Sequence, residues 1–153
     1  MEYVFYESFP GMATDRVCAV LLEKIFDSGA RSVVYSPLCE RTKVLDSFLW
    51  TFKQNSFIPH GSSENSPQAD LHPIWLTDKK ENPNSAQTLM LIDCCEESSN
   101  DEPERLGFSK IIYVVSGSDE DSSKKLRLFY KSISEFCNSK FWLQGKNGDW
   151  QRL

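Results

Sequence analysis

Histidine and cysteine side chains are the first to examine for catalysis or metal binding, and the chain has two histidines and five cysteines. No two candidate ligands stand at the close spacing that is typical of structural zinc sites. A Cys39–His60 pair is one arrangement that could support nucleophilic catalysis if the fold brings the two side chains together. The sequence lacks the GxSxG, HExxH, GxxxxGK[ST] and GxGxxG motifs. We therefore expect no catalytic residue, no metal and no cofactor, and we favour an interaction module over an enzyme.

The cysteines also indicate the redox state of the compartment in which the protein is found. Their number is odd and none of them forms a CxxC pair, which is typical of a reducing environment. The first residues lack a basic segment followed by an apolar stretch, and no apolar run approaches the roughly 20 residues that span a bilayer. These features predict a cytoplasmic protein.

Charge is distributed unevenly along the chain. The 153 residues include 22 acidic and 17 basic ones, for a net charge of -5. That balance argues against a surface that binds nucleic acid over its whole extent through phosphate contacts. Between Lys124 and Leu153, however, seven Lys and Arg residues stand against two acidic ones. This excess predicts a local basic binding face, although a merely solvated helix flank would show the same pattern.

Hydrophobic spacing predicts the elements that must position these side chains. Strands and helices are expected to alternate, which favours one α/β domain over residues 1–153 with a mostly parallel sheet. The expected strands are 3–6, 32–36, 73–77, 88–93 and 109–115. The expected helices run from Thr14 or Asp15 as cap to Gly29, from about 40 to 52, and from about 119 to 138. The residues 141–150 should form a short hairpin or a capping segment.

Apolar stripes predict which side of each helix is buried. In the second helix Trp50 falls off the stripe, whose members are Val44, Leu45, Phe48, Leu49 and Phe52. In the last helix Lys124, Lys125, Arg127 and Lys131 flank a stripe of Leu126, Phe129, Tyr130, Ile133 and Phe136. The segment 56–60 should present its side chains outward, and flexible loops are expected at about 61–72 and 96–105.

An ordered series of short motifs resembles the χ (chi) subunit family of bacterial DNA polymerase III. The resemblance covers nearly the whole chain. It consists of Val4-Phe5-Tyr6, Leu45-Asp46 with Leu49-Trp50, Phe57-Ile58-Pro59-His60, Pro73-Ile74-Trp75-Leu76, Asn82-Pro83-Asn84, Val115-Ser116-Gly117-Ser118-Asp119, Arg127 with Tyr130-Lys131, Phe141-Trp142-Leu143-Gln144 and Gly148-Asp149-Trp150. It implies a Rossmann-like, three-layer fold and a noncatalytic accessory subunit of the clamp loader.

The resemblance also implies a peptide site on the last helix. In the family, one surface binds the acidic C-terminal tail of single-stranded DNA-binding protein, which ends in Pro-Phe with a free carboxylate. Carried over by position, Arg127 would hold that carboxylate and Tyr130 would line the pocket for the terminal ring. Lys124 and Lys125 would attract the acidic residues of the tail. The alternative is that Tyr130 is core and Arg127 is a solvated helix residue.

A second surface is implied for the ψ (psi) subunit of the clamp loader or a substitute for it. The residues that match the family are Trp50, Phe57 and Pro59, for which ordinary core packing is the alternative. A small α/β nucleotide-binding domain or enzyme of unknown substrate is the competing function. Direct binding of single-stranded DNA is a weaker third one, since the net charge opposes strong binding.

Overall fold

The first strand, β1 (Glu2–Ser8), lies inside the sheet, between two strands that come much later in the sequence. Its aromatic and β-branched residues suit a strand that is covered on both faces. A computed structural model describes residues 1–53, 58–64, 66–94 and 102–153. In it β1 pairs in parallel with β6 (Lys110–Ser116) and with β7 (Asn138–Gln144). The two ends of the chain therefore meet in one sheet.

Helices and strands alternate at the start of the chain, as the spacing predicts, while several later strands follow one another with no described α-helix between them. The helices are α1 (Thr14–Asp27), α2 (Cys39–Thr51), α3 (Glu102–Arg105) and α4 (Glu120–Ile133), with a 3-10 turn at Ala69–Leu71. The other strands are β2 (Ser32–Tyr35), β3 (Gly61–Ser62), β4 (Ile74–Thr77), β5 (Thr88–Ile92) and β8 (Trp150–Arg152). In the described part of the chain they form one sheet in the order β3-β4-β2-β5-β6-β1-β7-β8. Every pairing between these described strands is parallel except β7–β8, which closes the predicted hairpin.

Buried apolar clusters lie on both faces of the sheet because successive strand residues point to opposite faces. On one face Val4, Val34 and Val114 pack under α1 and α2. On the other face Phe5, Tyr113 and Phe141 pack under α4 through its buried Leu126. This arrangement confirms the α/β class, with helices on both faces of a mostly parallel sheet as in Rossmann-like proteins. No helix in the described ranges is long and apolar enough to cross a membrane.

Three expectations for the helices were wrong. Helix α1 has Ala13 as its N-cap residue, so Thr14 lies inside the helix and Asp15 in its first turn. Val44 on α2 is 55% exposed, because the side of α2 that meets the sheet is narrow and centred on Leu45 and Leu49. Helix α4 ends at Ile133 rather than near Asn138, and Phe136 is 84% exposed, since the chain turns there to enter β7.

The segments expected to be loops are partly ordered and buried. Ile58 and His60 are buried rather than turned outward. Gly61 and Ser62 pair with Trp75 and Leu76 at the sheet edge, which is regular structure inside the segment 61–72. A side chain at Gly61 would collide with the His72 ring, so this edge requires glycine. The segment 96–105 contains α3 from Glu102, and the rest of that segment lies outside the described residues.

Candidate functional site

Helix α4 is positioned by its N-terminal cap and by its apolar side. The Asp119 carboxylate accepts hydrogen bonds from the Ser122 backbone N–H at 3.1 Å and from the Ser122 hydroxyl at 2.7 Å. These bonds hold the pKa of Asp119 below its usual value, the side-chain bond being the larger cause. Leu126 is fully buried against the sheet. Arg127, the next residue, is thereby placed on the flank of α4 over the end of β1.

Arg127 already holds a carboxylate of its own chain. Its Nε donates to Glu7 Oε1 at 3.2 Å and its Nη2 donates to Glu7 Oε2 at 2.6 Å. The Glu7 side chain is 7% exposed, whereas that of Arg127 is 45% exposed. Hydrogen bonding to Glu7 raises the pKa of Arg127, which therefore stays charged. A guanidinium has five N–H donors, so the rest of the Arg127 fork remains on the solvent side.

Other cations surround Arg127 on the same helix. Lys124, Lys125 and Lys131 are all exposed, and Lys131 follows Arg127 by one helical turn. The apolar Leu128 lies among them and is 66% exposed. We call Lys124, Lys125, Arg127, Leu128 and Lys131 the α4 surface. The predicted tail site did not include Lys131, although its four-residue spacing from Arg127 could have indicated it. No role was predicted for Leu128 or Glu7.

Tyr130 is mainly a core residue in this structure. Its ring packs against Phe5 at 5.6 Å and against Phe141 at 5.4 Å between ring centroids. Both of these partners are fully buried. Tyr130 is half-buried, so it joins the α4 surface to the core and offers only its exposed part to a ligand.

Trp50 stands on the opposite face of the sheet, on α2. It is 54% exposed, and its ring lies 4.5 Å from the His60 ring. The fully buried His60 side chain has its Nδ1 2.7 Å from Ile58 O. Its Nε2 lies 3.0 Å from Asp46 Oδ1, in a contact that is not aligned for a hydrogen bond. His60 thus fixes the chain beside Trp50.

Pro59 is half-buried next to His60, and we call Trp50 and Pro59 the Trp50 surface. Phe57, the third residue predicted for this interface, lies outside the described residues. The structure brings Trp50 and Pro59 to the α2 side of the sheet and Lys124, Lys125, Arg127 and Tyr130 to the α4 side. The two predicted sets of residues therefore lie on opposite faces of the sheet.

The crevice at the carboxyl ends of the strands is where nucleotides bind in many doubly wound folds. Here it contains Thr14, Asp15, Arg41, Asp93 and Asp119. Arg41 donates to Asp15 Oδ1 at 2.6 Å, to Asp93 Oδ2 at 2.7 Å and to Thr14 Oγ1 at 3.0 Å. Its charge is neutralised by two carboxylates, which would repel a phosphate. This carboxyl-end crevice gives no support to the nucleotide-binding alternative.

The residues that could have supported catalysis are engaged elsewhere. A hydrogen bond with Glu64 raises the pKa of Cys39, which makes its thiol a poorer nucleophile. The His60 ring nitrogens face Ile58 and Asp46 rather than Cys39. Burial raises the pKa of the Cys18 thiol strongly. Within the described ranges no group of three or more His, Cys, Asp or Glu side chains could hold a metal ion.

The fold and its surfaces define a class of protein: a doubly wound α/β domain whose strand-end crevice is lined by its own ion pairs and whose two sheet faces carry separate exposed clusters. Comparison with known proteins narrows that class. The family described as "DNA polymerase III chi subunit, HolC" matches residues 1–136. The chain belongs to this DNA polymerase III chi subunit family.

One relative is similar over a shorter stretch. The "Probable DNA polymerase III subunit chi" of Rickettsia prowazekii (strain Madrid E) is 39% identical over 72 residues. The match covers 47% of this chain and 43% of the relative, so it spans less than half the length of that protein. The family membership rests on the longer match, and it confirms the resemblance seen in the sequence.

Proposed function

We propose that the protein is a noncatalytic accessory subunit of the bacterial clamp loader that links the polymerase to single-stranded DNA-binding protein. The α4 surface would bind the acidic C-terminal tail of that protein. The main support for this proposal is the bidentate Arg127–Glu7 pair. The Arg127 guanidinium binds one carboxylate at the surface, and its remaining N–H groups could bind a second carboxylate in the same way. The family membership supports the same role.

The charges and apolar groups of the α4 surface suit such a tail. Arg127 would hold the terminal carboxylate through its remaining N–H groups. Leu128 and the exposed part of Tyr130 would contact the terminal ring. Lys124, Lys125 and Lys131 would attract the acidic residues that precede the ring. Because these cations are exposed, salt should weaken the interaction.

The test is binding of a fluorescent acidic peptide ending in Asp-Phe-Pro-Phe, followed by anisotropy. We expect a micromolar dissociation constant that rises with salt. Replacing Arg127 alone would leave Glu7 buried without its cation, so binding by Glu7→Gln is compared with binding by Glu7→Gln/Arg127→Met. The double variant should bind about tenfold more weakly than Glu7→Gln, because it lacks at least one charge-assisted hydrogen bond to the tail carboxylate.

Lys79→Met is the matched control, because Lys79 is an exposed cation after β4, near the far edge of the sheet. It should bind the peptide as the wild type does. No binding of the wild type at low salt, or equal losses for Lys79→Met and the double variant, would contradict the proposal.

The Trp50 surface would bind a second clamp-loader component, the psi subunit or a substitute for it. Trp50 projects from α2 with half of its surface in solvent, and aromatic residues in this position are common anchors of protein interfaces. Trp50→Ala should abolish co-elution with that component from the same organism in gel filtration. It should leave tail-peptide affinity unchanged, since the two surfaces lie on opposite faces of the sheet. Retained co-elution would contradict this assignment.

A further inference from the structure

A groove lies between α1 and the strands at the β8 edge of the sheet. Helix α1 packs mainly on β6 and β2, and α2 packs mainly on β4 and β3. On the face that they cover, β7 and β8 extend past α1 without a described helix over them. The resulting space has a volume of about 500 Å³. We call it the α1–hairpin groove, and it is distinct from both surfaces described above.

Aromatic and aliphatic side chains form the apolar part of the groove. Its floor carries Tyr6 of β1, Trp142 of β7 and Trp150 of β8, and the Tyr6 and Trp150 rings meet edge to face at 5.4 Å. Its wall is the side of α1 that faces β7 and β8, where Val20 and Leu21 are half-buried. Rings and aliphatic chains left open to solvent in this way can bury apolar groups of a ligand.

Two cations flank this apolar space. Arg16 and Lys24 line the groove from α1, and both are exposed. Neither forms an ion pair with any residue in the described parts of the chain. They are eight residues apart, which on a helix is about 12 Å along the axis. The Arg16 guanidinium carbon lies 5.8 Å from the centre of the Phe52 ring, which is a cation–π contact at an exposed site.

The geometry points to an acidic amphipathic helix of a partner protein as the occupant of the α1–hairpin groove. A helix laid beside α1 on β7 and β8 would take the position of the next helix in the layer, at the usual distance of roughly 8–10 Å between axes. Apolar residues spaced three and four apart would contact Trp142, Trp150 and Val20. Acidic residues about two turns apart would face Arg16 and Lys24, which supplies the charge complementarity.

A peptide selection on the intact protein tests this proposal. A displayed library of random peptides of about 16 residues, enough for four helical turns, is selected on the wild type and depleted on Arg16→Glu/Lys24→Glu. Depletion removes peptides that bind any other surface. We expect the remaining peptides to carry Asp or Glu beside apolar residues at helical spacing. They should bind the double variant at least about tenfold more weakly. They should also change Trp fluorescence.

Lys79→Glu is the matched charge reversal, and it should bind these peptides as the wild type does. Unfolding in urea checks that all variants are folded. The proposal is overturned if no peptide survives the depletion, or if the survivors lack acidic residues. It is also overturned if a thymidine oligonucleotide changes Trp fluorescence in the wild type but not in the double variant, because the groove would then bind nucleic acid. Neither result depends on tail binding at Arg127.

Discussion

Arg41 and Arg127 form carboxylate pairs in different settings, and their difference separates structure from recognition. Arg41 in the carboxyl-end crevice contacts two carboxylates and a hydroxyl, and its side chain is 15% exposed. Arg127 on the α4 surface contacts one carboxylate and is 45% exposed. An arginine such as Arg41, whose three side-chain nitrogens all donate to its own chain, stabilises the fold, whereas Arg127, whose Nη1 makes no hydrogen bond within the described residues, can still bind a ligand carboxylate. Substitutions at these arginines and at their neighbours should show that difference.

The largest effect is expected for Arg41→Met. The substitution leaves Asp15 and Asp93 facing each other without the cation between them, and it should lower the free energy of unfolding by about 3 kcal/mol. Urea unfolding measures the loss. Lys43→Met on the same helix is the control, because the exposed Lys43–Glu64 pair should contribute less than about 1 kcal/mol. Similar losses of unfolding free energy for Arg41→Met and Lys43→Met would contradict the structural role of Arg41. Arg41→Met should keep its tail-peptide affinity.

Asp119→Ala should lower the free energy of unfolding by less than Arg41→Met does. Asp119 lines the carboxyl-end crevice and is also the N-cap residue of α4. Loss of the cap should lower the free energy of unfolding by about 1 kcal/mol at neutral pH. Since the folded state lowers the pKa of Asp119, its stabilisation is present above the usual Asp pKa and is lost as the pH falls through the lowered value. Wild type and variant should therefore converge in acid.

The control for this prediction is Asp121→Ala, which removes a carboxylate from the first turn of α4 without removing the cap. It should change the free energy of unfolding by only about 0.3–0.5 kcal/mol. A pH-independent difference between the wild type and Asp119→Ala would show that the carboxylate is not the capping group.

The smallest effect is expected for Glu7→Gln. Removing one negative charge near the bound tail carboxylate should strengthen tail-peptide binding roughly threefold, as expected for charges about 5 Å apart in a water-like dielectric. Gln offers Arg127 one acceptor oxygen instead of two, so the variant should also lose some stability, and urea unfolding checks that it is folded. Fluorescence anisotropy at low salt measures the gain. If Glu7→Gln weakened binding instead, Glu7 would be needed to orient Arg127 rather than competing with its ligand.

Much of the fold could be predicted because it depends on local periodicity. The strands β1, β2, β4, β5 and β6 and the helices α1, α2 and α4 follow from apolar spacing, and the exposure of Trp50 follows from its place off the stripe. The edge strand β3 was not predicted. The exposure of Phe136 could not be predicted, since the end of α4 is set by the turn into β7. The burial of His60 depends on Asp46 and Trp50, which its own segment does not reveal.

The candidate site was predicted less completely than the fold. The exposed cations of α4 follow from helical spacing, and Arg127 was chosen through the family resemblance. Its pairing with Glu7 joins residues 120 positions apart, so no local pattern contains it. That pairing changes how the site is tested, because a single substitution of Arg127 affects stability and binding together.

The central place of β1 has a consequence for how the chain folds during synthesis. Glu2 pairs with Lys110 and with Asn138, so the first strand made has no sheet partner until most of the chain exists. Contacts between residues so distant in sequence close slowly, which delays completion of the sheet. Until then the aromatic β1 is exposed, and a nascent or truncated chain should be prone to aggregate through it. The sheet is therefore expected to be completed late, after β6 and β7 have both become available to pair with β1.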